Sequence, residues 1–218
     1  PGRLKSILVT SLIIGIPITF LFIMKCGRMV YQTLPYLGPV QGISAQGDTL
    51  YHTIQNFEFT DQLGRKVTRE NLDGSIYVAS YFFATCTNEC PRMNANLERV
   101  YERYKDVKKV KFISFTVDPE HDSPSVLLTY SKQFRSDPDK WYFVTGNKDS
   151  LYALAEKSFL IQAGEGDAKP VSFIHSSSLI LVDSRHHIRG VYDGLDPMKM
   201  DEVIDAIQLL LTAEKRKH

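Results

Sequence analysis

The sequence predicts an α/β domain, a mixed sheet flanked by helices, carried on an N-terminal transmembrane helix. Three observations point there. Residues 7–24 (ILVTSLIIGIPITFLFIM) form an uncharged apolar run. From residue 56 onward, short β-rich runs alternate with stretches of helical period, and the chain closes on a hairpin followed by one more helix.

The apolar run comes first. At 1.5 Å per residue, 18 helical residues reach about 27 Å, close to the thickness of a bilayer core. A cleaved signal peptide would have a shorter apolar run followed by small residues, whereas Lys25, Cys26 and Arg28 follow here. Residues 1–26 are therefore expected to be a membrane anchor. Gly15 and Pro17 are tolerated in lipid better than in water. Arg3 and Lys5 nearly balance Lys25 and Arg28 across the span. A single N-terminal span ahead of a compact domain usually acts as a signal anchor, which puts the domain outside the cytoplasm. The short anchor without a long targeting region points to a bacterial inner (cytoplasmic) membrane, with the domain in the periplasm. Cys26 follows Lys25, where a lipoprotein signal carries a small residue, so it reads as a juxtamembrane thiol.

The rest of the 218 residues suits one domain: 43% are hydrophobic, enough for a core. Lys+Arg 26 against Asp+Glu 25 leaves a formal net charge of +1, which gives no field for nucleic acid. Residues 27–55, rich in Gly, Pro, Ser, Gln and Tyr without a period, read as a spacer. The domain is expected over 56–213, with a basic tail at 214–218. Phe57, Phe59 and the turn Asp61-Gln62-Leu63-Gly64 predict an edge hairpin. Residues 76–83 (IYVASYFF) are almost continuously apolar, as in a strand covered on both faces.

Residues 91–104 place Met93, Leu97, Val100 and Tyr104 on one helical face. Residues 110–117 (VKFISFTV) form a second inner strand. A helix then begins at Ser123 or Pro124, an N-cap and first-position pair, and runs to Phe134. A strand at 141–144, a helix at 149–157, a hairpin of 176–182 with 188–192, and a helix at 198–211 complete the order. This is the arrangement of thioredoxin.

The chemistry sits where the first buried strand meets the first helix. Thr85-Cys86-Thr87-Asn88-Glu89-Cys90-Pro91 holds two cysteines separated by three residues. A pair two residues apart at this place reads as a redox pair; the extra residue lets both sulfurs converge from the loop. Pro91 disfavours helical geometry at Cys90, which predicts Cys90 as the cap and Pro91 in the first helical position. The positive helix end there stabilises thiolate over thiol. Two soft thiolates select Cu(I), with Zn(II) as the competitor. The candidate third ligand is His175, at the entrance to the strand that follows it; in a thioredoxin-like sheet that entrance lies beside the first helix's N-terminus. A plain disulfide is the competing reading, though so short a loop gains little stability from one.

His52, in the spacer, and His186 and His187, in the last hairpin's turn, read as exposed polar residues. Val117-Asp118-Pro119-Glu120-His121-Asp122-Ser123-Pro124 is a charged loop at the carboxyl end of an inner strand, where α/β proteins often place function. Asp118 or Glu120 there would tune the site or meet a partner; helix capping by Asp122 or Ser123 is the alternative.

At these residues the sequence resembles the Sco/SenC family of copper-binding assembly factors for cytochrome c oxidase. The resemblance spans about residues 56–211 and rests on Cys86, Cys90 and Pro91, on Val117, Asp118, Pro119, Glu120, Asp122 and Pro124, and on His175. It implies a copper ion held by Cys86, Cys90 and His175, thiols able to cycle between dithiol and disulfide, and an N-terminal membrane anchor. It also implies, as acceptor, the dinuclear copper centre of cytochrome c oxidase subunit II, served as metal donor or as reductant of its cysteines. Many relatives carry Asp directly before the ligand histidine, where this chain has Ile174. Without that carboxylate the imidazole is held more loosely or by a backbone carbonyl. Two functions follow: a metallochaperone without turnover, or a thiol-disulfide oxidoreductase using Cys86 and Cys90. Peroxide reduction fits the frame but lacks the Thr/Cys-and-Arg arrangement of that class.

Overall fold

The computed structural model describes residues 15–16, 33–161 and 177–216. From Leu34 onward the chain is one compact unit. It enters through a small hairpin, Val40–Ile43 (β1) and Thr49–Tyr51 (β2). A second hairpin follows, Glu58–Asp61 (β3) and Lys66–Thr68 (β4), and then the inner strand Ile76–Phe82 (β5). Helix Glu89–Tyr104 (α1), strand Val110–Thr116 (β6), helix Pro124–Ser131 (α2), strand Trp141–Thr145 (β7) and helix Lys148–Lys157 (α3) continue the alternation. Ser178–Val182 (β8), Ile188–Asp193 (β9) and Lys199–Lys215 (α4) close it.

Seven strands form one sheet in the order β4-β3-β7-β6-β5-β8-β9. β5, β6 and β7 are parallel, while β3, β4, β8 and β9 join antiparallel. This is the mixed, thioredoxin-like sheet that the sequence predicts. Every residue of β5 is buried, and its alternation explains why. Ile76, Val78 and Phe82 face a core shared with Leu97 and Val100 of α1, Leu127 of α2 and Ile207 of α4. Tyr77, Ala79 and Tyr81 face the opposite core, with Leu151 and Leu154 of α3 and with Ile54 and Phe57. Two strand faces need two covers, so a continuous apolar run signals a central strand. Polar residues of the inner strands pair with one another: the Ser80 and Ser114 hydroxyls share a 2.8 Å bond, and the Trp141 indole N–H donates to Ser114 at 2.9 Å.

The spacer expected at residues 27–55 needs correction. From Leu34 it is part of the domain. The Leu37 N–H donates to the Ile188 carbonyl at 2.9 Å. The Arg189 guanidinium donates to the carbonyls of Leu34 and Pro35, forms an ion pair with Asp183 at 2.9 Å, and lies 4.1 Å over the Tyr36 ring. Tyr36 in turn stacks on Tyr51 at 4.1 Å. These residues carry no period because their order comes from Arg189 on the far side of the chain.

Three histidines read as exposed are not. His52 is buried and donates to the Ser158 carbonyl at 2.7 Å. His186 is buried in a left-handed turn position (φ 65°), donates to Asp73 at 2.6 Å and accepts from the Tyr77 hydroxyl at 3.3 Å. His187 is half-buried and donates to Asp183 at 3.2 Å. Each has a carbonyl or carboxylate partner distant enough in sequence, or folded back by a turn, to escape a local reading. Among the described residues no helix is long and apolar enough to cross a membrane. The span expected at 7–24 lies, apart from Gly15 and Ile16, outside them.

Candidate metal centre at the end of strand β5

β5 delivers the chain to the carboxyl edge of the sheet, and α1 takes it away again; the cysteine loop is the link. The helix starts at Glu89, not at Pro91, so Cys90 is its second residue and Pro91 its third. This corrects the expected capping. The first N–H groups of a helix have no partner within it, so proline's missing donor costs nothing as late as the third position. Asn88 occupies the cap position without a side-chain bond. The Cys86 sulfur fills that role, accepting the Cys90 N–H at 3.3 Å.

Both cysteines are free thiols, and their surroundings differ. At Cys86, partial burial opposes ionisation, but the amides of Cys90, Asn88 and Glu89 and the Cys90 thiol donate to the sulfur and prevail; its pKa falls below the usual thiol value. Cys90 lies inward, and burial pushes its thiol up to about 12, with the Phe83 amide opposing and the neighbouring Cys86 sulfur adding to the rise. The pair is thus one nucleophilic, half-buried sulfur above one protonated, buried sulfur. A cleft of about 520 Å³ opens on them, floored by Phe82, Phe83, Met93 and Val117.

The acidic loop flanks this cleft. The Asp118 amide is held by the Thr116 hydroxyl at 3.0 Å, and its carboxylate takes the His121 imidazole at 2.9 Å. That hydrogen bond, with the Asp118 charge, raises the His121 pKa. Glu120 pairs with Lys148 at 3.2 Å. Asp118 and Glu120 are therefore engaged by neighbours rather than aimed at the sulfurs. Ser123 caps α2, as one sequence reading had it.

His175 lies outside the described residues. Ser177, two residues later, lines the cysteine cleft, and its carbonyl accepts the Gly194 N–H at 2.7 Å. Among the described residues no three His, Cys, Asp or Glu side chains converge on one point. The sequence reading missed Gly194, where a Cβ would lie 2.6 Å from Met93 and 2.7 Å from the Ser177 oxygen. It also missed buried Asn94, one turn beyond Cys90, which donates to the Tyr130 hydroxyl at 3.0 Å. Helical spacing from Cys90 was the only signal for Asn94, and Gly194 had none.

The SCO1/SenC family model matches residues 45–212. The chain belongs to the SCO1/SenC family. Its similarity to the SCO1 protein homolog of Bacillus subtilis (strain 168) is 31% identity over 165 residues, covering 74% of this chain and 84% of that protein. Among solved structures it is similar to BsSco, described with a disulfide switch as a member of the Sco family of cytochrome c oxidase assembly proteins. The identity is 30%, the coverage 74% of this chain and 94% of that one, and the TM-score 0.63. Yeast Sco1 with copper bound shares the fold at 22% identity, covering 76% of this chain and 94% of that one, with a TM-score of 0.58.

Proposed function

We propose that this SCO1/SenC protein carries copper as cargo on Cys86, Cys90 and His175 and delivers it during assembly of the dinuclear copper centre of cytochrome c oxidase subunit II. The observation that carries the reading is the paired placement of Cys86 and Cys90 across the first turn of α1 at the mouth of one cleft. Two thiolates there suit Cu(I), and an imidazole from the chain just before Ser177 completes a three-donor set open on the cleft side. An incoming acceptor sulfur can then bind before a donor leaves. Cys90 gives up its proton as the metal enters, so loading releases a proton. Residues 7–24 serve as anchor in a bacterial inner membrane, with the domain in the periplasm.

The test is copper titration of the fully reduced chain. One equivalent is expected, and Cys86→Ser, Cys90→Ser and His175→Ala are each expected to weaken it; unchanged binding in the histidine variant removes His175 from the site.

The unequal thiols favour a second reading, thiol-disulfide exchange with the acceptor. The Cys86 thiolate attacks an acceptor disulfide, one acceptor sulfur leaves and takes up a proton, and Cys90 resolves the mixed disulfide as it loses its own. Two electrons pass to the acceptor, which ends as a dithiol while this chain ends as a disulfide. That activity needs both cysteines and is indifferent to His175→Ala, which separates the two functions.

A further inference from the structure

Asp122 is fully buried, yet among the described residues it neither caps α2 nor forms an ion pair. Its Oδ2 accepts two hydrogen bonds, from the Thr116 hydroxyl at the end of β6 and from the Ala84 N–H at 3.1 Å. Its Oδ1 is buried without a partner among the described residues. A carboxylate so placed carries a desolvation cost, and the fold spends it on one loop amide.

That amide belongs to the peptide joining Phe83 to Ala84. The oxygen of the same peptide accepts the Cys86 N–H at 3.2 Å. On its other side Phe83 donates its own amide to the Cys90 sulfur. One peptide plane therefore stands between Asp122 and Cys86, and the residue that contributes its oxygen also reaches Cys90. Turning that plane would swing the Phe83 carbonyl away from the Cys86 amide.

We infer that Asp122 is a positioning residue for the cysteine pair: by gripping the Ala84 amide from β6 it fixes the Phe83–Ala84 peptide and holds Cys86 and Cys90 in their dithiol geometry. Thr116 orients the carboxylate. The acidic loop thus acts on the sulfurs through the backbone rather than as a ligand. The inference shares with the proposed function only the premise that the two cysteines are the working groups. It is tested without copper, so failure of copper binding leaves it standing.

The measurement is the equilibrium of the full chain with glutathione: the dithiol plus one oxidised glutathione gives the protein disulfide plus two reduced glutathiones, read by alkylating the free thiols. Losing one hydrogen bond that favours the dithiol should shift Asp122→Ala about fivefold to tenfold toward the disulfide, or about 20 to 30 mV for a two-electron couple. Asp122→Asn keeps an acceptor oxygen for the Ala84 N–H and should restore most of the wild-type value. Leu210→Ala, a core cavity beside the cleft of Gly74 and Lys109, should destabilise the fold without moving the equilibrium. An unshifted Asp122→Ala, a Leu210→Ala shifted as far, or an Asp122→Asn as shifted as the alanine variant overturns the inference. If Asp122→Ala does not fold, the asparagine variant and amide exchange in the reduced wild-type protein decide. The Ala84 N–H should be protected like the amides of β5, and free exchange there contradicts the grip.

Discussion

At the scale of single residues, the site is an asymmetry between two sulfurs four positions apart. Cys86 accepts amide hydrogens at a helix start and Cys90 lies beneath it, and the same short loop depresses one thiol and raises the other. Iodoacetamide at pH 7 should therefore modify Cys86 first. In Cys86→Ser the remaining thiol should react more slowly than Cys86 does in Cys90→Ser, because reactivity follows the thiolate fraction. Equal rates would remove the asymmetry. The placement of the cysteine pair at the junction of β5 and α1 was legible in the sequence, since spacing and a following proline are local signals. The capping detail was not, because a proline is as well accommodated at the third helical position as at the first.

Among the elements, β9 and its turn hold the amino-terminal strap, and Asp183 organises both. Its carboxylate accepts the amides of Arg185 and His187, each at 3.0 Å, and pairs with Arg189. Burial opposes its charge, but the His187 amide and Arg189 outweigh burial and hold it below the usual carboxylate value. A carboxylate depressed in the folded state stabilises it above the unfolded pKa, near pH 4, and loses that contribution as pH falls through the folded value. Asp183→Asn should lower stability by about 2 to 4 kcal/mol at pH 7 and by progressively less below about pH 4. Urea unfolding at both pH values measures this, and a pH-independent difference would contradict it.

The junction of β9 with α4 governs the cleft itself. Met93 and the Ser177 carbonyl both lie close to Gly194, and a methyl group there meets both. Gly194→Ala should cost about 1 to 3 kcal/mol and also weaken copper binding, because Ser177 lines the cysteine cleft. A stability loss with unchanged copper affinity would confine Gly194 to packing.

For the whole molecule, the sequence revealed what repeats locally. β5 and β6 stood out as apolar runs, α1 by its face of Met93, Leu97 and Val100, and α2 by Ser123 and Pro124. What escaped was held by distant partners. Arg189 orders Leu34 and Pro35, and buried His52 and His186 take partners from α3's end and from the turn before β5. Asp122 looked like a helix cap because Ser123 beside it is one; only the sheet brings Ala84 to it. The proposed site has the same character, since it draws His175 and the cysteines from segments far apart in sequence.

The most direct test of the central claim is copper bound per reduced chain in wild type and in His175→Ala, followed at two pH values. One equivalent is expected in the wild type, with affinity rising with pH as Cys90 loses its proton, and marked weakening in the histidine variant. Copper binding that ignores both pH and the loss of His175 would contradict it.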